Sequence, residues 1–211
     1  MRNVIIIGDS GHAKVVEDVV NSDGMKVIAK LDDKYETVIS NVSLLMGPIS
    51  YLFDLLGKDP EAGVIIGIGS NQVREQLVNS FQLPSNSYVT VIHRSAIVSP
   101  SVKLGDGVVV MPGAVINAAT VIGDHVIINS ASVVEHDCFV GDFAHVSPGA
   151  VLTGGVQIGK GTHVGAGASI IPQKKIGAWS IIGAGAVVTS EINGGATAVG
   201  VPAIVVKREG T

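Results

Sequence analysis

The sequence predicts a small α/β domain followed by a three-sided parallel β-helix, and three observations lead to this fold class. Every sixth residue from Val98 to Val188 is Val, Ile or Leu. Glycines recur every eighteen residues inside that run. The first ninety residues lack both periods and alternate short apolar runs with helical patterns. By chance an aliphatic run this long has a probability on the order of 10⁻⁸, so the period reflects structure.

A six-residue aliphatic repeat fits neither an amphipathic helix nor a hairpin sheet, but it suits the short strands of a parallel β-helix. Because glycine follows every third aliphatic residue, three hexapeptides form one coil, and we expect glycine where the backbone turns a corner. The period leaves the handedness open. The aliphatic positions and corner glycines are Val98, Leu104, Val110, Ile116, Ile122, Ile128, Val134, Val140, Val146, Leu152, Ile158, Val164, Ile170, Ile176, Ile182 and Val188, with Gly105, Gly123, Gly141, Gly159 and Gly177.

The residues two positions before each aliphatic one are mostly small or β-branched. They suit a narrow interior in which three walls converge. Cys138 is one of them, so we interpret it as core filler rather than a nucleophile. Lys174 is the exception, and it predicts a bulge or an outward excursion around residues 173–175. The pattern fails at Gly194, where we expect the chain to leave the prism.

The first ninety residues predict a separate parallel α/β sheet. Apolar runs at residues 4–7, 26–31 and 64–68 predict three strands, and helical spacing of apolar residues follows the first and third of them. Such alternation places ligand-binding loops at the carboxyl ends of the strands. Those loops contain residues 8–12, Asp32 with Asp33, and residues 69–71.

The loop Gly8-x-x-Gly11, with Asp32 beyond the second strand, invites comparison with the dinucleotide-binding fingerprint. Ser10 replaces the second glycine of that fingerprint and Ala13 replaces the third, so the loop disfavours NAD. These residues are compatible with binding of another nucleotide and also with a small α/β domain that has only a structural role.

Composition excludes several classes of function. The chain is 46% hydrophobic with a net charge of −4, so it predicts no basic surface for nucleic acid. No run of eighteen apolar residues is present to span a bilayer, and residues 1–20 do not resemble a signal peptide. The single cysteine excludes an internal disulfide framework. We expect a cytoplasmic protein.

His136 is the strongest candidate for chemistry because it lies between Glu135 and Asp137. The repeat places it at a corner, with Ala118 one coil before it and Gly154 one coil after it. A carboxylate bonded to one imidazole nitrogen fixes the tautomer and raises the basicity of the other nitrogen, as a general base requires. A solvated surface histidine is the alternative interpretation.

The other histidines of the repeat occupy different registers. His145 and His163 each precede an aliphatic position, so we expect them to face outward from the prism one coil apart. His125 has no distinguishing neighbours in the sequence. The spacing of His136, His145 and His163 matches no local ligand motif, so we expect no metal.

Several segments together carry a resemblance to a known family. They are the hexapeptide run, residues 133–137, residues 143–147, the closing segment at 200–203 and the opening Gly8-x-Ser10-Gly11-His12 loop. They resemble bacterial hexapeptide-repeat sugar acetyltransferases, with the nearest likeness to UDP-4-amino-sugar N-acetyltransferases and sialic-acid O-acetyltransferases. The likeness extends over the whole chain.

The resemblance implies a Rossmann-like sugar-nucleotide-binding domain at residues 1–90 and a left-handed parallel β-helix at residues 91–211. It also implies a homotrimer that binds acetyl-CoA as co-substrate, without a metal, in the groove between neighbouring prisms. The acceptor would be a nucleotide-linked sugar of bacterial surface-glycan biosynthesis. Nucleic acid and membrane insertion have no part in this expectation.

The resemblance also assigns residues. His136 matches the general base, Asp137 lies where relatives often have Glu, and Glu135 competes as the orienting carboxylate. His145 matches a contact to the acetyl-CoA end. Gly154, Ala166 and Ala184 match positions at which relatives contact the cofactor through main-chain atoms. The residues that match the sugar-nucleotide site are Ser10, Gly11, His12, Asp32 and Asp33. Looser candidates are Arg74 for a phosphate contact, and Lys207 with Arg208 for coenzyme A phosphates or as solvated tail residues.

The expected reaction is direct acetyl transfer to the amine of a UDP-4-amino sugar. O-acetylation of a sialic acid or another sugar hydroxyl is the nearest alternative, and the sequence does not choose between them. A zinc-dependent β-helix hydratase ranks lower, as does a non-enzymatic scaffold.

Overall fold

The computed structural model describes residues 1–40 and 44–208, with only the backbone of Arg208. The strands and helices of its first part are β1 (Asn3–Ile7), α1 (Gly11–Ser22), β2 (Lys26–Leu31), β3 (Ile39–Ser40), β4 (Leu45–Gly47), α2 (Leu52–Lys58), β5 (Gly63–Ile66) and α3 (Asn71–Phe81), with 3₁₀ turns at Ile49–Tyr51 and Ser85–Ser87. The five strands form one sheet in the order β3-β4-β2-β1-β5, parallel except for β3 against β4.

The three predicted strands are confirmed as β1, β2 and β5, although β5 ends at Ile66 rather than at residue 68. The structure adds β3, β4 and α2, which the apolar pattern did not indicate. Among the described residues, no helix combines the length and apolar character needed to cross a membrane.

The two parts of the chain share a hydrophobic core. Val16 and Val19 lie on the buried face of α1 and pack in one cluster with Ile6 of β1. The same cluster contains Val109 and Ile127, which lie on strands of the repeat region. The α/β part is therefore packed directly onto one side of the prism.

The repeat region forms three walls, and from Val91 to Val188 they consist of two-residue parallel strands in which paired residues are eighteen positions apart. The first wall contains Ile97–Val98, Val115–Ile116, Val133–Val134, Val151–Leu152, Ser169–Ile170 and Val187–Val188. The second contains Lys103–Leu104, Val121–Ile122, Phe139–Val140, Gln157–Ile158 and Lys175–Ile176. The third contains Val91–Ile92, Val109–Val110, Ile127–Ile128, His145–Val146, His163–Val164, Ile181–Ile182 and Ala196–Val199, and ends with Ile204–Arg208, which is antiparallel to Ala196–Val199.

The sixfold aliphatic positions form the interior of the prism, as the period predicts. All of them are 2% exposed or less except Val98 and Leu104, which are half-buried. These two begin the first and second walls, so no earlier coil covers them. Cys138 is also inside the prism and is 2% exposed.

The corner glycines have a different cause from the one predicted. None of the five has a positive φ. A Cβ built on Gly141 would lie 2.7 Å from the backbone nitrogen of Lys160 in the next coil. A Cβ built on any of the other four glycines would lie between 2.2 and 2.8 Å from a backbone atom of the next coil. The close approach of stacked coils therefore requires glycine here.

The left-handed backbone conformation occurs two residues later in each hexapeptide. Every sixth residue from Gly107 to Gly185 has a φ between 54° and 72°. Non-glycine residues adopt this conformation at His125, Asp137 and Phe143, among others. One left-handed residue per corner is therefore a property of the prism, and glycine is not obligatory there.

The bulge predicted at Lys174 is wrong. Gln157 pairs with Lys175 and Ile158 with Ile176 without a register shift, and the Gln157 N–H donates to the Lys174 carbonyl at 2.9 Å. Lys174 is half-buried. Its long aliphatic stem allows the ammonium group to reach solvent without displacing the backbone.

We expect Gly141→Ala to destabilise the protein by about 1–3 kcal/mol, because the added methyl group overpacks two stacked coils. Thermal unfolding then occurs about 2–4 °C lower for each kcal/mol lost. Gly57→Ala is the control, because Gly57 lies exposed in α2 with no atom within 4 Å of an added Cβ. An unchanged melting temperature for Gly141→Ala would contradict the close-approach explanation.

Candidate active site

His136 and Asp137 form a hydrogen-bonded pair at the corner between the first and second walls. The His136 Nδ1 lies 2.7 Å from the Asp137 Oδ2, and the two side chains are 62% and 67% exposed. Asp137 has a φ of 59°, a conformation that Asp tolerates better than most residues. Within the described residues Glu135 makes no hydrogen bond to the imidazole, so Asp137 is the carboxylate that holds it. With Nδ1 bonded to a carboxylate, Nε2 is the nitrogen left to exchange a proton.

Gly154 provides the space for this imidazole. A Cβ at Gly154 would lie 2.7 Å from the His136 Nε2 and 2.8 Å from its Cε1. The backbone N–H of Gly154 donates to no acceptor in the described part of the chain. The free Nε2 of a histidine and a free backbone N–H therefore occur together on one exposed corner.

Ala166 and Ala184 lie one coil apart at another corner, between the third and first walls. Both are exposed, and neither N–H has a partner among the described backbone bonds. They share the hexapeptide position of Gly154 but not its corner. One chain therefore does not bring these three main-chain positions together.

A second group of histidines lies on the third wall beneath the α/β part. His145 is only 8% exposed, and its ring centroid lies 6.3 Å from that of His12 and 4.8 Å from that of His163. Its Nε2 is 2.9 Å from the Asn129 Nδ2, a partner that sequence reasoning did not identify. His145 faces outward from the prism as predicted, but the α/β part covers it.

Burial determines the charge of this group. Desolvation lowers the pKa of His145 to about 3, and electrostatic interactions with His163, Arg74 and His12 lower it further. Desolvation followed by the charge of Arg74 lowers the pKa of His12 to about 4. Both imidazoles are therefore neutral at pH 7. The Nε2 of His12 and the Nδ1 of His145 are buried and have no hydrogen-bond partner among the described residues.

The predicted sugar-nucleotide residues lie together at the carboxyl edge of the sheet. Ser10 precedes α1, and its hydroxyl makes no capping bond to the helix. Ser10, Gly11 and Asp33 are exposed. Asp32 instead stabilises the loops, because its carboxylate accepts the N–H of Asp9 at 2.7 Å and that of Lys34 at 3.1 Å.

The assignment of Arg74 to a phosphate contact is wrong. Its side chain is buried, with 1% of the residue exposed, and its Nε, Nη1 and Nη2 groups all donate to backbone carbonyls. Desolvation lowers its pKa to about 9, so the guanidinium stays charged at pH 7. No donor group is left for a ligand.

His125 was also underestimated from the sequence. Its ring stacks on Phe143 at a centroid distance of 5.1 Å and meets the edge of Tyr88 at 4.6 Å. Its carbonyl accepts a hydrogen bond from Arg74. The available signal was the eighteen-residue spacing that places His125 and Phe143 in one column of left-handed residues.

A groove of about 430 Å³ opens between the first turn of α3 and the third wall, beside His163. The groove is lined by Gly69, Ser70, Asn71, Gln72, Gly161, His163, Trp179, Ser180 and Ile181.

Two further expectations concern metals and the end of the chain. Among the described residues no group of His, Cys, Asp or Glu has the arrangement of a metal site. Lys207 is exposed on the last strand, and the side chain of Arg208 lies outside the described residues.

Comparison with known proteins identifies both parts of the chain. Residues 3–81 match the PglD N-terminal domain, and residues 155–190 match six repeats of the bacterial transferase hexapeptide. Perosamine N-acetyltransferase from Caulobacter crescentus, solved with CoA and GDP-perosamine, is 38% identical with a TM-score of 0.88, and the match covers 97% of each chain. The chain belongs to the hexapeptide-repeat family of nucleotide-sugar N-acetyltransferases.

Other members of this family support the same membership. The acetyltransferase domain of PglB from Neisseria gonorrhoeae, solved with acetyl coenzyme A, is 33% identical with a TM-score of 0.86, covering 97% of this chain and 99% of that one. UDP-N-acetylbacillosamine N-acetyltransferase from Bacillus subtilis is 44% identical over 112 residues. That match covers 53% of this chain and 52% of the length of the Bacillus subtilis protein, so this chain spans about half of that relative. The prism is the left-handed β-helix of the family.

Acid should destabilise this family member through its buried histidines. Burial lowers the pKa of His125 to about 4 and that of His145 to about 3, whereas unfolded histidine titrates near pH 6.5. Between about pH 6.5 and 4 the unfolded chain binds protons that the native protein does not. Stability is therefore complete above about pH 6.5 and falls by about 1.4 kcal/mol per pH unit for each such histidine as the pH decreases.

Thermal unfolding recorded between pH 7.5 and 5 checks this expectation. His145→Gln should give a shallower pH dependence than the unaltered protein, because one buried neutral imidazole is removed. A melting temperature that is constant from pH 6.5 to 5 would contradict the burial argument.

Proposed function

We propose that the protein transfers the acetyl group of acetyl-CoA to the amine of a nucleotide-linked amino sugar, with a UDP-4-amino sugar as the acceptor class. The observation that carries this proposal is the His136 and Asp137 pair, which holds a free Nε2 beside the free N–H of Gly154 on an exposed corner. Membership of the N-acetyltransferase family supports it.

His136 acts as the general base. Its Nε2 removes a proton as the sugar nitrogen attacks the thioester carbonyl, the C–S bond breaks, and the departing thiolate receives that proton. Asp137 holds the ring in the required tautomer and stabilises the imidazolium. The N–H of Gly154 faces the carbonyl oxygen as its negative charge develops. No covalent acyl-enzyme is needed.

The remaining site residues bind and align the two substrates. Ser10, Gly11, His12 and Asp33 contact the sugar nucleotide, while Asp32 fixes the loop that presents them. The exposed N–H groups of Ala166 and Ala184 run along acetyl-CoA, and His145 lies near its acetyl end. General base catalysis supplies about 10²- to 10⁴-fold of the rate, and alignment supplies much of the rest.

A homotrimer completes this site. Within one chain His136 lies at the corner of the first and second walls, whereas His145 and the covering loops lie on the third wall. In a threefold assembly of prisms, the His136 corner of one copy faces the third wall of its neighbour, and acetyl-CoA occupies the groove between them. Sedimentation equilibrium tests the assembly, and a monomer at micromolar concentration would contradict it.

The proposal includes the biological setting and the division of the chain. We assign the protein to bacterial surface-glycan biosynthesis in the cytoplasm, where acetyl-CoA is available and the buried Cys138 stays reduced. We divide it into a sugar-nucleotide-binding domain at residues 1–90 and an acetyltransferase domain at residues 91–211. O-acetylation of a sialic acid or another sugar hydroxyl stays the competing reaction.

Thiol release from acetyl-CoA, measured with a panel of UDP- and GDP-linked 4-amino sugars and with sialic acids, distinguishes these reactions. We expect release with an amino sugar and a product that resists alkali, because amides are far more stable to base than esters. A base-labile product would establish O-acetylation instead. Absence of release with every acceptor would contradict acetyl transfer, and loss of activity with chelators would favour the zinc-dependent hydratase.

His136→Ala should lower kcat by about 10²- to 10⁴-fold while the Kd for acetyl-CoA changes little, because the base acts on the attacking amine. His93→Ala is the matched control, since His93 lies at the start of the prism and its imidazole bonds only Ser95 among the described residues. Steady-state kinetics and calorimetry measure the two quantities. If His136→Ala kept the kcat of the unaltered protein, its assignment as base would be wrong.

A further inference from the structure

The corners of the prism leave a column of backbone carbonyls unpaired. At the corner between the second and third walls, the N–H of Phe143 donates to the preceding coil at 2.8 Å, as does that of Gly161. In the described residues no backbone N–H reaches the carbonyls of His125, Phe143 and Gly161. We call these three groups the carbonyl column. Buried carbonyls require a donor, and at this corner the donor has to come from another element.

Helix α3 supplies the donors. Arg74 Nε donates to the His125 carbonyl at 3.2 Å and Arg74 Nη2 to the Phe143 carbonyl at 2.7 Å, while Asn71 Nδ2 donates to the Gly161 carbonyl at 3.0 Å. Residues three apart in a helix are separated by about 4.5 Å along its axis. Stacked coils are separated by about 4.8 Å, so one helix face matches the carbonyl column coil by coil.

The same guanidinium reaches the loop that follows β5. Arg74 Nη1 donates to the carbonyls of Ile68 at 3.2 Å and Gly69 at 3.0 Å, and Nη2 also reaches the Ala144 carbonyl at 3.3 Å. Ile68 and Gly69 lie at the ligand-binding edge of the sheet, and Ala144 precedes His145. Arg74 therefore connects the nucleotide-binding edge to the strand that carries His145.

The chemistry of this contact is specific to arginine. Its planar guanidinium directs five donors in fixed directions, whereas lysine offers one compact ammonium group. Arg74 contacts no carboxylate among the described ion pairs, although the residue is 1% exposed. Carbonyl dipoles alone compensate its burial, so displacement of α3 leaves both the cation and the carbonyl column without partners.

We propose that Arg74, assisted by Asn71, is the positioning element that sets the register of the sugar-nucleotide domain on the prism and so aligns the acceptor amine with the thioester. The proposal rests on the acetyl transfer proposed above. Each substrate keeps most of its own contacts when this register loosens, because the acceptor contacts lie mainly in the α/β loops and the donor contacts mainly on the prism. Misalignment should therefore reduce turnover more than affinity.

Arg74→Met tests this separation. We expect kcat to fall by at least tenfold, since a displacement of about 1 Å costs on the order of 10²-fold, while the Kd values for acetyl-CoA and for UDP stay within threefold. Arg74→Lys should recover only part of the rate. Lys160→Met is the control, because Lys160 also joins the prism to α3 through Glu75 but is 46% exposed, and its kcat should stay within twofold.

Asn71→Ala provides a milder variant if Arg74→Met fails to fold. It frees only the Gly161 carbonyl, and we expect a several-fold loss of kcat with unchanged Kd values. The proposal is overturned if the folded variants keep the unaltered kcat, or if Kd rises in proportion to the loss of kcat, which would indicate general structural damage.

Amide hydrogen exchange separates this proposal from the proposed activity. In Arg74→Met, or in Asn71→Ala, the amides of α3 should exchange faster while those of α1 keep their protection. If the unaltered protein transfers no acetyl group, the proposed function fails but the exchange experiment still applies. Unchanged exchange in α3 would overturn the positioning role independently of catalysis.

Discussion

The stacking of each residue over the residue eighteen positions later is the constraint on which the rest of this structure depends. Strands of two residues are too short to be stable alone, so the prism exists only because each coil buries the aliphatic side chains of the next. Every side chain consequently belongs to a column. The column containing Gly141 is closed to any Cβ, whereas the column containing His136 and Gly154 has room for an imidazole.

This constraint divides the prism into parts with different roles. Interior positions are filled by aliphatic and small residues, and the corners carry exposed polar groups with unpaired backbone donors and acceptors. Gly154, which is half-buried, and Ala166, which is exposed, show the first kind of corner, where the N–H has no partner among the described backbone bonds. His125 and Phe143 show the second kind of corner, where the carbonyl accepts no backbone N–H, is buried, and accepts a hydrogen bond from Arg74 instead. A β-helix thus leaves some corners open to solvent and packs another against a neighbouring domain without changing its repeat.

The burial of Arg74 and the histidine group has one physical origin. Packing the α/β part against the third wall removes water from polar groups on both of the packed surfaces. Desolvation then lowers the pKa of His12, His125 and His145, and the charge of Arg74 acts in the same direction on each of them. The interface between the two parts therefore contains one cation held by carbonyls and several imidazoles that stay neutral.

The sequence by itself determined the features that follow from local periodicity. Sixfold spacing predicted the interior positions, the inward Cys138 and the corner position of His136 with small neighbours, because these depend only on the repeat. Tertiary structure alone decided which carboxylate holds His136, why Gly141 must be glycine, that Lys174 causes no register shift and what Arg74 binds. Each of these depends on the distance between segments that are far apart in the sequence, and a repeat period contains no information about such distances.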